Sequence, residues 1–218
     1  MERSNRFLAL VEVEGRVLPC FLPNPGRMYE LLIPGGEVVL LEVDKQNRKT
    51  GYDMIGVISD GELVSLDTRV PNMLVFEALK NGDIEEFSQY DVIKPEFVYG
   101  SSRLDFLLSN KKGRCLLEVK SCSLLRDGVA LFPDAPTSRG KRHLMELMDA
   151  KNDGYRACAL FIIQRTKARV FRPNYETDPD FGKTLRKAVA KGVEVFAYCS
   201  EFEEKKIVLK GKIKVDVN

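Results

Sequence analysis

The chain has 218 residues, 44% of them hydrophobic and 30% charged, with a net charge of +2. That composition is ordinary for a soluble globular protein long enough to bury a core without disulfide or metal staples. The longest apolar run, ACALFII at 157–163, is far short of the ~20 residues that cross a bilayer, which excludes a membrane-spanning helix.

Residues 6–20 read as two strands around a tight turn at Glu14-Gly15, followed by a Pro/Gly-rich loop, FLPNPGRM, at 21–28. Strands follow at 37–43 and 52–58. Asp60-Gly61 is a strong hairpin signal leading into a strand at 62–66. Five short strands and no long helix in 67 residues predict a small β-barrel or sandwich. The pattern changes near Asp67. Helical spacing starts at Pro71 and predicts a helix over 72–81 that stops at Gly82. Strands are expected at 97–100, 103–109 and 114–122. A helix is expected at 137–150, capped by Thr137 or Ser138, with Leu144, Leu147 and Met148 on its apolar stripe. A buried strand at 157–165 has a continuation at 168–172. A second helix runs from Asp178-Pro179 to Lys191, and a strand follows at 193–199. The alternating tail, KIVLKGKIKVDV, adds an edge strand or hairpin. Helices alternating with apolar strands imply a mixed α/β sheet. The fold class is therefore a two-domain α/β (α+β) chain, with domains at 1–67 and 68–218.

Charge divides along the same line. Residues 1–67 hold 7 basic and 11 acidic residues, whereas 136–191 hold 13 basic and 6 acidic. A local basic excess suits a polyanionic partner. MERSNRFLAL at the N-terminus carries both signs of charge and no apolar signal core, so a cytoplasmic location is expected. Five cysteines without a CxxC pair, beside a single histidine, fit reduced buried thiols better than a zinc site.

The stretch RLDFLLSNKKGRCLLEVKSC, 103–122, carries chemistry. Asp105, Glu118 and Lys120 sit inside apolar strands, where an unpaired charge costs several kcal/mol. Alternation puts Glu118 and Lys120 on one face, and a hairpin brings Asp105 beside Glu118. Two converging carboxylates need a cation between them. A hard divalent ion such as Mg²⁺ or Mn²⁺ takes such oxygens together with water and phosphate. A neighbouring ammonium can orient a nucleophile or stabilise charge on phosphate. The competing reading is a cross-strand ion pair. The first turns of the 137–150 helix hold Arg139, Lys141, Arg142 and His143, against the helix dipole. Of these, Arg139, Lys141 and His143 are candidates for phosphate contact. Arg27 is the one candidate in the Pro/Gly loop.

Asp…Glu-x-Lys on a hairpin, preceded by a helix carrying an acid, resembles the core of the PD-(D/E)xK nucleases. CFLPNPGRMYELL (20–32), YGSSRLDFLL (99–108), LLEVKSCSL (116–124) and LFPDAPTSRGKRHLMEL (131–147) make nearly the whole chain similar to the sugar fermentation stimulation protein (SfsA) family. The resemblance implies an N-terminal OB-like barrel, a nuclease-like C-terminal domain and DNA binding. It implies Asp105 and Glu118 as metal ligands, Lys120 as the motif lysine and Glu77 as an extra acid. The motif proline is absent, because Leu104 precedes the Asp. The expected function is a DNA-binding protein with a Mg²⁺-dependent nuclease site. The alternative is a DNA-binding regulator without cleavage, linked by the resemblance to sugar utilisation. Oligomeric state is open.

Overall fold

The computed structural model describes residues 2–44, 48–203 and 206–218. The first part of the chain is one six-stranded sheet. Its strands are β1 (Glu2–Asn5), β2 (Leu8–Val13), β3 (Arg16–Phe21), β4 (Val38–Glu42), β5 (Tyr52–Ser59) and β6 (Glu62–Ser65). The order is β1-β2-β3-β5-β4, with β6 also on β5. The two tight turns fall where the sequence expects them. Glu14-Gly15 and Asp60-Gly61 all take positive φ, the conformation whose twist suits a two-residue hairpin. Ala9, Val11, Cys20, Leu22, Met54, Val57 and Val64 form the core. The strand at Glu2–Asn5 is one more than the sequence pattern showed, because its residues ERSN carry no apolar alternation.

The second part opens with α1 (Val70–Asn81). Pro71 lies in its first turn and Gly82, in the left-handed conformation, ends it. Then come β7 (Val92–Tyr99), β8 (Ser102–Asn110), β9 (Gly113–Cys122), β10 (Leu125–Arg126), β11 (Val129–Phe132), α2 (Ser138–Asn152), β12 (Arg156–Ile163), β13 (Val170–Pro173), α3 (Pro179–Ala190), β14 (Glu194–Glu203), β15 (Lys206–Lys212) and β16 (Lys214–Val215). The main sheet has the order β15-β14-β12-β9-β8-β7. Its centre, β9-β12-β14, is parallel and its edges are antiparallel. The central strand reads RACALFII and is buried almost throughout, as a parallel strand covered on both faces must be. α2 and α3 cover one face through Leu144, Leu147, Phe181 and Leu185. α1 covers the other through Val75 and Ala78.

A four-stranded sheet, β10-β11-β13-β16, lies beside it. Residues 168–172 therefore do not continue the 157–165 strand. β13 pairs in parallel with β11 and β16 instead. The tail divides likewise, β15 extending the main sheet and β16 joining the small one.

The two parts meet at a buried ion cluster. Arg165 is 2% exposed and bonds the Glu62 carboxylate and Asp60 Oδ2, the latter at 2.8 Å. Thr166 Oγ1 donates to the other Glu62 oxygen at 2.7 Å. The loop after β3 also crosses over. Thr68 donates to Pro23 O through N and Oγ1, and Met28 N donates to Asp134 Oδ2 at 3.3 Å.

Candidate metal and phosphate site

β8 and β9 form a regular antiparallel ladder from Asn110↔Gly113 to Phe106↔Leu117. Beyond it the backbone pairing stops and a side chain takes over. Asp105 Oδ2 accepts the Val119 N–H at 2.7 Å, and its Oδ1 accepts Asn72 Nδ2 at 2.7 Å. Strand β8 turns over at this point. Leu104 packs on the α2 side, yet Phe106, two residues on, packs on the α1 side. Across from Asp105, the β7–β8 pairing skips Glu96, which has φ 56. The kink is what lets a carboxylate stand where a ladder carbonyl belongs.

Glu118 is 3% exposed. Its Oε1 takes both the Lys120 ammonium and His143 Nδ1. His143 is itself 1% exposed, and its Nε2 lies 3.3 Å from Arg139 Nε, which can only donate. Nε2 therefore accepts, Nδ1 carries the proton, and the ring donates to Glu118. A relay Lys120–Glu118–His143–Arg139 results. The remaining oxygen, Glu118 Oε2, is buried with no hydrogen-bond partner among the described residues.

The two acids are driven apart electrostatically. Burial, then the neighbouring Glu118 charge, pushes the Asp105 carboxyl up to about 6. Burial also pushes Glu118 up, but the Lys120 charge and the bond from His143 outweigh it and hold that carboxyl below its usual range. Environments that separate two carboxyl groups in this way are a recurrent property of reactive sites.

These residues floor an open groove of about 470 Å³. Asn24, Pro25 and Gly26 of the first domain form one wall. Phe132 to Thr137, with Arg139 and Gly140, form another. A Cβ on Gly26 would stand 2.7 Å from Asp134 Oδ2, so any larger residue here would push that carboxylate aside. Thr137 is the N-cap of α2, accepting Gly140 N at 2.9 Å. This fixes the helix start at the groove edge.

The structure gathers Asp105, Glu118 and Lys120, as the strand alternation implies. Arg139 joins them, exposed and on the groove wall. Arg27 is exposed, one residue beyond the loop segment that lines the groove. Three expected placements differ. Glu77 is exposed and borders a separate apolar cleft with Met73, Leu74 and Phe202. The residue of α1 that reaches Asp105 is Asn72, five positions earlier and roughly 140° around the helix from Glu77. Lys141 turns to α3, where it lies 3.8 Å from Asp178 and 3.5 Å from Asp180. His143 does not face the groove as a phosphate contact, because it is buried behind Glu118 with both ring nitrogens engaged.

Sequence reasoning passed over three residues. Asn72 follows Pro71 in the first turn of α1 and carries no charge to mark it. Asp134 lies in the LFPDAP string and receives Met28 N. Glu146 is 7% exposed and holds the 99–102 turn through Ser101 N and Oγ, at 3.1 and 2.9 Å. The signal for Glu146 was available: a carboxylate on the apolar stripe of α2.

Fold and site together define a two-domain protein in which an OB-type domain and a mixed-sheet domain share a groove floored by an Asp…Glu-x-Lys cluster. Residues 1–66 match the SfsA N-terminal OB domain, and residues 69–206 match the sugar fermentation stimulation protein RE domain. The chain belongs to the sugar fermentation stimulation protein family. A homologue of that name from Moorella thermoacetica is 50% identical over 200 residues, covering 91% of this chain and 86% of the relative. One from Clostridium tetani is 45% identical over 216 residues, covering 99% and 94%. The solved structure of Pyrococcus furiosus SfsA in complex with Ca²⁺ superposes with a TM-score of 0.91 at 31% identity, covering 99% of this chain and 93% of that one.

Proposed function

We propose that the protein binds nucleic acid, DNA in the first instance, and hydrolyses phosphodiester bonds with a divalent cation, Mg²⁺ or Mn²⁺. The observation that carries this reading is the unpartnered, buried Oε2 of Glu118 beside Asp105, at the floor of a groove. An orphaned carboxylate oxygen costs free energy unless something fills it, and a hard cation fits an all-oxygen donor set. Asp105 and Glu118 would hold the ion. No group of three or more His, Cys, Asp or Glu poised for a metal occurs among the described residues, so water and phosphate oxygens would complete the shell. The Ca²⁺ in the Pyrococcus furiosus relative supports a divalent site in this fold.

The chain's own residues divide the remaining work. Lys120 neutralises Glu118 and stands ready to stabilise charge developing on a phosphate. His143 fixes Glu118 Oε1, which leaves Oε2 free. Arg139 offers a guanidinium on the wall for backbone phosphate. A bound cation would supply an activated water and neutralise the phosphate undergoing attack. The same two-acid site favours the second reading, a DNA-binding regulator that does not cleave. A panel of DNA and RNA structures incubated with Mg²⁺ or Mn²⁺ separates the two. Cleavage that Asp105→Ala and Lys120→Ala both abolish establishes the nuclease. Salt-sensitive binding without cleavage establishes the regulator, and no binding at all removes both.

A further inference from the structure

The first domain holds 7 basic and 11 acidic residues, a poor total for a polyanion-binding module. The fold sorts that charge. Glu12, Glu14 and Glu37 line a cleft together at the far end of the β2–β3 hairpin. That end is about 17 Å along the strand from Leu8. At the near end, Arg3 gathers the β1–β2 turn and the loop after β3 into one unit. Its guanidinium donates to the carbonyls of Asn5, Arg6, Asn24, Gly26 and Arg27. Arg3 is thereby consumed as a clamp. Arg6 and Arg27 are left exposed, with no side-chain partner among the described residues.

Aromatic rings share the segments that carry these cations: Phe7 follows Arg6, and Tyr29 lies two residues after Arg27. Phe7 is 47% exposed and stacks on Phe21, with ring centroids 6.3 Å apart. Arg48 lies over Phe21 at 5.7 Å. Tyr29 is 76% exposed and follows Met28, whose N–H is held by Asp134 at the groove. About half of Phe7 and three quarters of Tyr29 stay open to solvent, so both rings offer surface that the fold does not use. Aromatic faces alternating with cations fit bases and phosphates of a strand whose bases are unstacked. A duplex keeps its bases inside and offers nothing to Phe7 or Tyr29. The same loop supplies Asn24, Pro25 and Gly26 to the wall of the catalytic groove, so the surface and the groove are continuous.

We infer that Arg6, Phe7, Arg27 and Tyr29 form a track for one unpaired nucleic-acid strand, which leads it over the Asn24–Gly26 loop to Asp105 and Glu118. This rests on the nucleic-acid reading above and adds the substrate class: a single strand, or a duplex with an unpaired segment.

The chain contains no tryptophan, which gives a direct test. Tyr29→Trp places one indole on the track, at a position exposed enough to accept it. Its emission is followed while oligothymidylate of about 15 nucleotides is added in EDTA, with anisotropy of the labelled oligonucleotide read in parallel. A blunt hairpin duplex is the comparison. The expected result is strong quenching by the single strand and little by the duplex. Tyr29→Ala and Phe7→Ala should each weaken single-strand binding about tenfold, and Tyr29→Phe should bind as wild type does. Anisotropy that reports binding while the indole stays unchanged overturns the track and leaves the nucleic-acid reading standing. Equal quenching and affinity for the blunt duplex overturn the single-strand assignment. Absence of binding to either probe overturns the nucleic-acid reading itself.

Discussion

Two of the buried charged clusters among the described residues are completed to different degrees. At the domain junction, Arg165 is 2% exposed, and both oxygens of Glu62 are taken, one by Arg165 and one by Thr166. In the main sheet, Glu118 is 3% exposed, but two donors crowd one oxygen while the other has none. A fully bonded buried pair is compatible with a structural role, since its desolvation is offset locally. A half-bonded one beside a second carboxylate and an open groove keeps an acceptor that a ligand can still reach. The contrast separates charge that holds the fold from charge held ready for something else.

Four experiments sharpen or break that contrast. The largest effect is expected from Asp105→Ala. It should reduce metal-dependent cleavage by at least about 10³-fold, roughly 4 kcal/mol of barrier, read as single-turnover rates on a labelled oligonucleotide. Arg165→Met comes next. Leaving Glu62 buried and unpaired should lower unfolding free energy by about 3 kcal/mol in urea titration. A loss below 1 kcal/mol would show that this cluster is not structural after all.

The third experiment is a pH titration of stability without metal. Burial raises the Asp105 carboxyl from 3.8 to about 6, so between these values the folded state holds a proton that the unfolded state has lost. Stability of wild type relative to Asp105→Asn should therefore be highest below pH 4 and decline as pH rises through 6. The decline should be about 1–2 kcal/mol once solvent screening is allowed for. A flat difference would mean Asp105 titrates normally. The smallest effect belongs to Glu118→Gln. The pairs with Lys120 and His143 outweigh the desolvation of this charge, so unfolding free energy should fall, but only by about 1 kcal/mol because Lys120 keeps some access to solvent. Mn²⁺ binding by calorimetry should disappear in the same variant. A large stability loss would make Glu118 a structural ion pair and erase the contrast.

The sequence carried the strand-borne part of this site well. Alternation within 103–122 is short-range information, and Asp105, Glu118 and Lys120 converge as it implies. Helical phase was harder to read. Leu74, Ala78 and Leu79 marked the apolar side of α1, but its buried residues are Pro71, Val75 and Ala78. Asn72 and Glu77 lie on opposite flanks of that buried face, and which flank meets β8 is decided by how α1 docks on the sheet, not by its apolar period. Lys141 and His143 look alike as basic residues near a helix start. Their roles are set by α3 and β9, elements that lie tens of residues away in the chain. The small β10-β11-β13-β16 sheet was hidden for a similar reason. β10 and β16 have two residues each, too few for any period, and the parallel pairing of β13 with β11 and β16 leaves no turn signal; only Asp127-Gly128, the turn between β10 and β11, marked part of it.

The Gly26–Asp134 approach has a bearing on how the molecule is made. The first sheet can form as soon as it leaves the ribosome, because its core draws on residues before 67. Its groove-facing loop then waits for a contact more than a hundred residues downstream. The groove wall is finished only after β11 has been synthesised and docked. A nascent chain therefore presents its cationic, aromatic end well before it owns the Asp105–Glu118 pair, and premature termination after the first sheet would release a fragment that still has that end but no carboxylate pair.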